Sequence, residues 1–345
     1  MKYNKLFLIG NGFDLAHGLK TKYSDFILWY LNKTIRKFKA SDSDKFSDSL
    51  VIFDSKYEKI SEFDSLESVK QFLKRSNFKI TFRNTYTETL FNKFIDLKWV
   101  DIEYEYYQKL IEIYNNNEKY KNVSNYDFEK KINELNECFA QIKIELLEYL
   151  KTINISSEYK SEKIENHLKN EINNANTENV LFLVFNYTNT LDLYLDSFKN
   201  ENIKVIYIHG KLNDDKNPLI FGYGDEMDDY YSKLERENSN GYLKFMKSFN
   251  YLKTNNYLTL HHFINSNYYN INIMGHSCGI SDRVLLNSIF TAKYCNFIRI
   301  FYYQKDVNEN DFFEKTQEIS RHFKSEDKGR MRIIIVPESK SLPLT

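Results

Sequence analysis

The chain is poor in the residues that usually punctuate a fold. Its 345 residues include three cysteines, Cys138, Cys278 and Cys295, far apart and odd in number. That pattern excludes a disulfide framework and points to a reducing compartment. No Cys-x-x-Cys pair offers a structural zinc site. Three prolines occur, two of them, Pro337 and Pro343, near the end. With no Pro-rich or Gly/Ser-rich linker and no internal repeat, domain boundaries must come from a change of element type. Lysine plus arginine equals aspartate plus glutamate at 48 each, so the net basic footprint of a dedicated nucleic-acid binder is missing. No apolar run approaches the ~18 residues that cross a bilayer. The opening MKYNKLFLIGNGFD is too short in its apolar part for a signal-peptide core. These absences lead us to expect a cytoplasmic protein with neither a membrane nor a clear nucleic-acid partner.

What is present is core material: 42% of residues are apolar and 16% aromatic. Residues 5–10 read as a buried strand ended by glycine. Ser24 is a plausible N-cap for a helix through DFILWYLNKTIRKF. From 40 to 175 there is no glycine or proline, and apolar residues recur at three- and four-residue steps; residues 40–66 are less decisive. From 180 the pattern changes to short β-rich runs at 180–185, 204–210, 219–224, 271–275, 297–303 and 332–337. Helical stretches separate most of them, at 189–199, 228–266 in pieces, 281–292 and 308–324. Strands alternating with helices imply a mainly parallel sheet. The expected architecture is α/β, a doubly wound, mainly parallel Rossmann-like sheet. Residues 1–39 and 176–345 would form the sheet domain, and 40–175 a large helical insertion.

Glycine is scarce, at ten residues, and eight fall in four stretches: GNGFDLAHG, IHG, FGYG and GHSCG. Each ends an expected strand. Glycine is retained where φ must be positive or a ligand approaches the backbone, so four such turns at one sheet edge read as one pocket; turns also need glycine for themselves. Gly10 and Gly12 would turn backbone amides toward a pyrophosphate at a helix start. Asn11, Phe13 and Asp14 complete that loop, with Asp14 facing a ribose or capping the helix. Leu15 stands where a dinucleotide fingerprint wants a third small residue. The acid ~20 residues on, which would bind a ribose, falls in a helical region, so a standard dehydrogenase is disfavoured.

Three other stretches carry chemistry. Asn186 and Tyr187 in FNYTNTLD sit at the end of a strand, with Thr188 or Asn189 available as a cap. His209 ends the next strand, with Gly210 beside it; a histidine there can act as a base or be a satisfied structural residue. Gly275-His276-Ser277-Cys278-Gly279 matches a G-x-S-x-G nucleophile elbow, giving a rival serine hydrolase with Ser277 as nucleophile and His322 as the only later histidine. In the bland reading, Ser277 and Asp282 contact a ligand or cap a helix. A metal-dependent nuclease using Asp14, Asp101 and Glu103 is a further alternative, although acids in a first helical turn are favoured by the dipole alone. The adjacent His261 and His262 diverge on a helix and form no metal pair.

Taken together, LIGNGFDLAHGLKTKYSDF, WVDIE, FNYTNTLD, IHG, FGYGDE and GHSCGISD resemble the bacteriophage abortive infection AbiH family in content and order. The resemblance implies an antiviral abortive-infection effector. The same order of glycine turn, Asn-Tyr, His-Gly and Gly-x-Ser with a later aspartate is distantly similar to sirtuin-like NAD-binding domains. That second likeness implies NAD as substrate or ligand and no metal. It assigns Gly10 and Gly12 to the diphosphate, Asn186 to the ribose and attacking water, His209 to base chemistry, and Gly275 and Ser277 to the adenosine side. Asn11, Phe13, Asp14, Tyr187, Gly210, Gly222 and Asp282 would line the same nucleotide. The opening Gly-Asn-Gly-Phe-Asp departs from the more typical Gly-Ala-Gly, and the zinc cysteines of protein deacylases are missing, which favours simple NAD hydrolysis. A non-catalytic nucleotide sensor is the alternative of a different class. The phage trigger is not readable, and self-association stays open.

Overall fold

The computed structural model describes residues 2–41, 45–54, 60–75, 79–97, 101–120, 127–198 and 202–345. Two compact units emerge. One comprises Met1–Lys20, Ile153–Asp228 and Met246–Thr345; the other comprises Thr21–Thr152 and Asp229–Phe245. These bounds differ from those expected at 39/40 and 175/176. The helix Tyr23–Ala40 goes with the helical unit, residues 153–175 go with the sheet, and 229–245 returns to the helical unit.

The strands are β1 (Tyr3–Ile9), β2 (Lys45–Ser47), β3 (Val51–Asp54), β4 (Lys79–Phe82), β5 (Thr177–Val184), β6 (Ile203–Tyr207), β7 (Tyr269–Met274), β8 (Cys295–Tyr302) and β9 (Leu342–Pro343). Six of them build the sheet of the first unit in the order β6-β5-β1-β7-β8-β9. Every neighbouring pair is parallel. Counted within this sheet, the order is that of a doubly wound dinucleotide-binding fold, and its direction reverses between β1 and β7.

Burial on both faces explains the continuous apolar runs LFLI in β1 and VLFLV in β5. Leu6, Leu8, Leu181, Leu183, Ile271 and Ile273 face the helices Asn256–Ser266, Arg283–Thr291 and Phe312–Ser320. Phe7, Ile9, Phe182 and Val184 face the helix Glu162–Ile172 through Ile164, Leu168 and Ile172. Phe7 and Phe182 are register partners, and their rings stack at 4.8 Å. On this second face, Glu171 bridges Lys5 of β1 and Arg299 of β8, one carboxylate oxygen to each cation.

Several elements differ from expectation. Residues 219–224 form no strand and make only an isolated bridge, Tyr223 to Met246. Of residues 332–337, the first three end the helix Lys328–Ile334 and Ile335 makes an isolated parallel bridge to Ile298; the edge strand is β9 instead. The reason is visible in the burial: Met331 and Ile334 are buried while Ile333 is 78% exposed, a helical rather than an alternating pattern.

In the second unit, β2, β3 and β4 form an antiparallel sheet where helix was expected. Asp48 makes the β2–β3 turn by accepting the Leu50 and Val51 amides at 2.9 Å, and it also takes the Tyr30 hydroxyl at 2.8 Å. Helix Tyr23–Ala40 starts one residue before Ser24. Asp25 closes it by accepting the Lys22 amide, so Ser24 is not the cap. Asp101 accepts the Glu103 and Tyr104 amides at 3.0 Å, which makes it the N-cap of Ile102–Tyr120.

Glu171→Gln would leave two cations without their carboxylate, and breaking a buried pair costs about 3–5 kcal/mol. Urea unfolding of this variant is expected to show that loss. A midpoint within error of the parent would show that the triad carries no stability.

Candidate active site

All six strands of the parallel sheet end on one edge, which brings the four glycine stretches into two sets of interlocking loops. The loop after β1 packs backbone to backbone on the loop after β7. Gly10 N–H donates to the Met274 carbonyl at 3.3 Å, Gly12 N–H to the Gly275 carbonyl at 2.8 Å, and Phe13 N–H to the Gly10 carbonyl at 2.8 Å. A Cβ on Gly10 would lie 2.4 Å from His276 Cα, and one on Gly275, where φ is +78°, would lie 2.0 Å from the Phe13 nitrogen. These glycines therefore let two loops touch at the switch point. The cradle expected of the Gly10 and Gly12 amides is filled by protein carbonyls. Asn11 and Ser277 stay exposed beside this junction, and Gly275 is half-buried. Gly210 (φ +86°) lets its turn approach the Pro218 carbonyl, and Gly222 is buried in the following segment.

The loop after β5 is tied to the first loop by side chains. Asn186 Nδ2 donates to the Gly10 carbonyl at 3.0 Å. Thr188 Oγ1 donates to Asp14 Oδ2 at 2.6 Å. Asp14 is buried, and burial raises its carboxyl above the ordinary range despite the opposing bonds from Thr188, Thr190 and Asn186. A raised pKa and a position beneath the loop suit a brace between strand ends. They do not suit a group facing phosphate. Tyr187 donates its hydroxyl to the Ile220 carbonyl at 3.0 Å, fastening the next loop in turn.

The richest cluster lies after β6 and β7. His209 Nε2 is 3.1 Å from Asp282 Oδ1 and 3.2 Å from the Tyr251 hydroxyl. Lys247 Nζ reaches the same Asp282 oxygen at 2.8 Å and the Ser281 carbonyl at 3.2 Å. His276 Nε2 is 3.8 Å from Asp282 Oδ2, and its Nδ1 accepts the Cys278 amide at 2.9 Å. Phe185 stands edge-on to His209 at 5.2 Å and covers His276 at 4.0 Å. Lys247 is 0%, His209 6% and Asp282 8% exposed.

Burial of this kind sets the charges. It would raise Asp282, but Lys247 and then His209 hold its carboxyl well below the usual range. His209 is lowered by burial and then by the Lys247 charge, against the pull of Asp282. His276 is lowered to about 3, chiefly by burial. The arrangement is a neutral imidazole oriented by a carboxylate whose charge a lysine balances.

Sequence reasoning singled out His209 and Asp282 but missed Lys247, Tyr251 and the contact of His276. His276 stood inside a quoted motif. Lys247 is one basic residue among 48, with no local pattern to mark it.

The hydrolase constellation does not assemble. Ser277 Oγ accepts only the Gly279 amide, at 3.4 Å. His322, fully buried, donates Nε2–H to the Cys278 carbonyl at 2.8 Å. The positive φ that an elbow places on its nucleophile falls on Cys278 (+58°), whose buried thiol is pushed up to about 12. Among the described residues, no group of three or more His, Cys, Asp or Glu could hold a metal ion, and no helix is long and apolar enough to cross a membrane.

The loops after β1, β5, β6 and β7 lie within one family match, to bacteriophage abortive infection AbiH, over residues 6–304. The chain belongs to the AbiH family. No curated protein matches it. The AbiH match runs from β1 to just beyond β8 and takes in Asn186, His209, Lys247 and Asp282, so the cluster lies within the part of the chain the family defines. Membership places this AbiH protein in abortive infection against bacteriophage.

Five of its seven histidines titrate below their ordinary value, each mainly through burial. Between about pH 6.5 and the folded values the unfolded chain binds more protons, so these groups remove stability as pH falls. Asp14 and Asp225, raised by burial, act in the opposite sense below neutrality. His276→Asn keeps an acceptor for the Cys278 amide and removes the group with the widest window, from about 6.5 down to about 3. Urea midpoints measured at pH 7.5 and 5 are expected to differ less in this variant than in the parent. An unchanged difference would show that His276 is not buried neutral.

Proposed function

We propose that this AbiH protein is an effector that hydrolyses the N-glycosidic bond of NAD or a related nucleotide at the carboxyl edge of its sheet. His209 carries the reading. It lies in the turn just after β6 at that edge, its ring is kept neutral in a buried site, and Asp282 fixes it at 3.1 Å. The 3-2-1-4-5-6 sheet order belongs to folds that bind dinucleotides at this edge. The Asn-Tyr, His-Gly and Gly-x-Ser order resembles sirtuin-like NAD-binding domains.

The chemistry is a displacement at the nicotinamide ribose. The C1′–N bond breaks and its electron pair returns to the ring nitrogen, releasing neutral nicotinamide. A water oxygen bonds to C1′, and its proton passes to His209. Asn186 has its Nδ2 committed to Gly10, so the water would donate to Asn186 Oδ1. With the Gly10 and Gly12 amides paired inside the protein, the rest of the nucleotide would rest on Asn11, Tyr187, Gly275 and Ser277. General-base action supplies roughly 10²–10⁴-fold.

The test is nicotinamide release from NAD by the purified protein, with and without lysate from phage-infected cells. Release is expected in at least one condition, reduced about 10²–10⁴-fold by His209→Ala and strongly by Asn186→Ala. No release in either condition overturns hydrolysis. A sensor without catalysis is the second reading. It is favoured by the internal pairing of the loop amides, which a nucleotide would have to rearrange. Calorimetric binding of NAD without nicotinamide release would select it.

A further inference from the structure

The sequence marks His209 as a base, but a buried imidazole beside a lone carboxylate tends to become charged and lose that ability. The neighbouring groups address this directly. Lys247 is fully buried, on the short helix Lys247–Tyr251, and its Nζ meets the same Oδ1 of Asp282 that contacts His209. Its stem is closely packed as well: a Cβ on Gly224 would come within 3.4 Å of it. The backbone fixes it further through Lys247 N–H to the Tyr223 carbonyl at 2.9 Å.

We propose that Lys247 is a positioning residue for His209, balancing the charge of Asp282 so that this carboxylate orients the imidazole through Nε2 without holding a second proton on it. The inference deepens the reading of His209 as base and rests on it. Nε2 faces Asp282, and a hydrogen bond to the Phe185 backbone also holds the ring and, like Asp282, raises its pKa. The titratable or charged groups facing the ring are Asp282 from the loop before helix Arg283–Thr291, His276 from the loop after β7, and Lys247 and Tyr251 from their shared helix. His276 takes no charge near neutrality, being lowered to about 3. Burial lowers His209 most; of the neighbouring charges, Lys247 lowers it further and Asp282 raises it.

Opposite substitutions should then move His209 in opposite directions, which a merely structural role would not do. Lys247→Met leaves Asp282 alone with the ring and is expected to shift its titration to higher pH. Asp282→Asn leaves the lysine charge and is expected to shift it to lower pH. Each shift should be about 1–3 pH units, the usual effect of a neighbouring charge. Lys247→Arg should leave it close to the parent.

The direct readout is ¹⁵N-histidine NMR of the full chain, with the His209 resonance assigned by its loss in His209→Asn. The acid limb of nicotinamide release should move with it. Shifts in the same direction, or none, overturn the role of Lys247. If Lys247→Met does not fold, the direction seen in Asp282→Asn and the unchanged value in Lys247→Arg still test it. Opposed NMR shifts in a protein that releases no nicotinamide would support the tuning and overturn only the hydrolysis.

Discussion

One carboxylate oxygen, Asp282 Oδ1, holds both a fully buried lysine and the His209 imidazole in the turn after β6. Burying these groups has a cost. Well-packed apolar residues in place of a buried ion pair are often as stable or more so, so the cluster is poorly explained as a stabilising device. It joins the loop after β6, the helix Lys247–Tyr251 and the turn into helix Arg283–Thr291 at one point. The result is an oriented imidazole, held uncharged, at the sheet edge where ligands bind in such folds.

Glycine makes that edge compact. Gly10, Gly12 and Gly275 let the loops after β1 and β7 meet backbone to backbone, and Asn186, Thr188 and Asp14 fasten the loop after β5 to the same place. Asp14 is thereby accounted for. A phosphate cradle would repel it, whereas a buried brace uses its carboxylate to accept the Thr188 hydroxyl. Two buried charge groups of this unit also divide by role. Lys5, Glu171 and Arg299 tie β1, a helix and β8 together on one face of the sheet. Lys247, Asp282 and His209 sit where the strands end.

How much of this was legible follows from the physics of each element. β1 and β5 were readable because strands buried on both faces are continuous apolar runs, and β6, β7 and β8 because they are short β-rich runs between helical stretches. RIIIVP misled because three isoleucines suit either a strand or a helix, and only the exposure of Ile333 separates the two. The β2–β3–β4 sheet was hidden by strands of three or four residues and by a helix between β3 and β4. At the strand ends, His209, Asn186 and Asp282 were singled out in the sequence because each follows a strand or a glycine turn. Lys247 was not, because its partner lies 35 residues away in sequence and nothing local distinguishes it.

AbiH membership places the protein in abortive infection, and NAD hydrolysis is the chemistry we propose for that role. The most direct measurement is the NAD content of cells carrying the protein, followed through phage infection, beside cells carrying His209→Asn. A collapse of NAD before phage release in the first and a steady level in the second is the expected result. Protection from phage with NAD unchanged in both would contradict hydrolysis as the basis of defence.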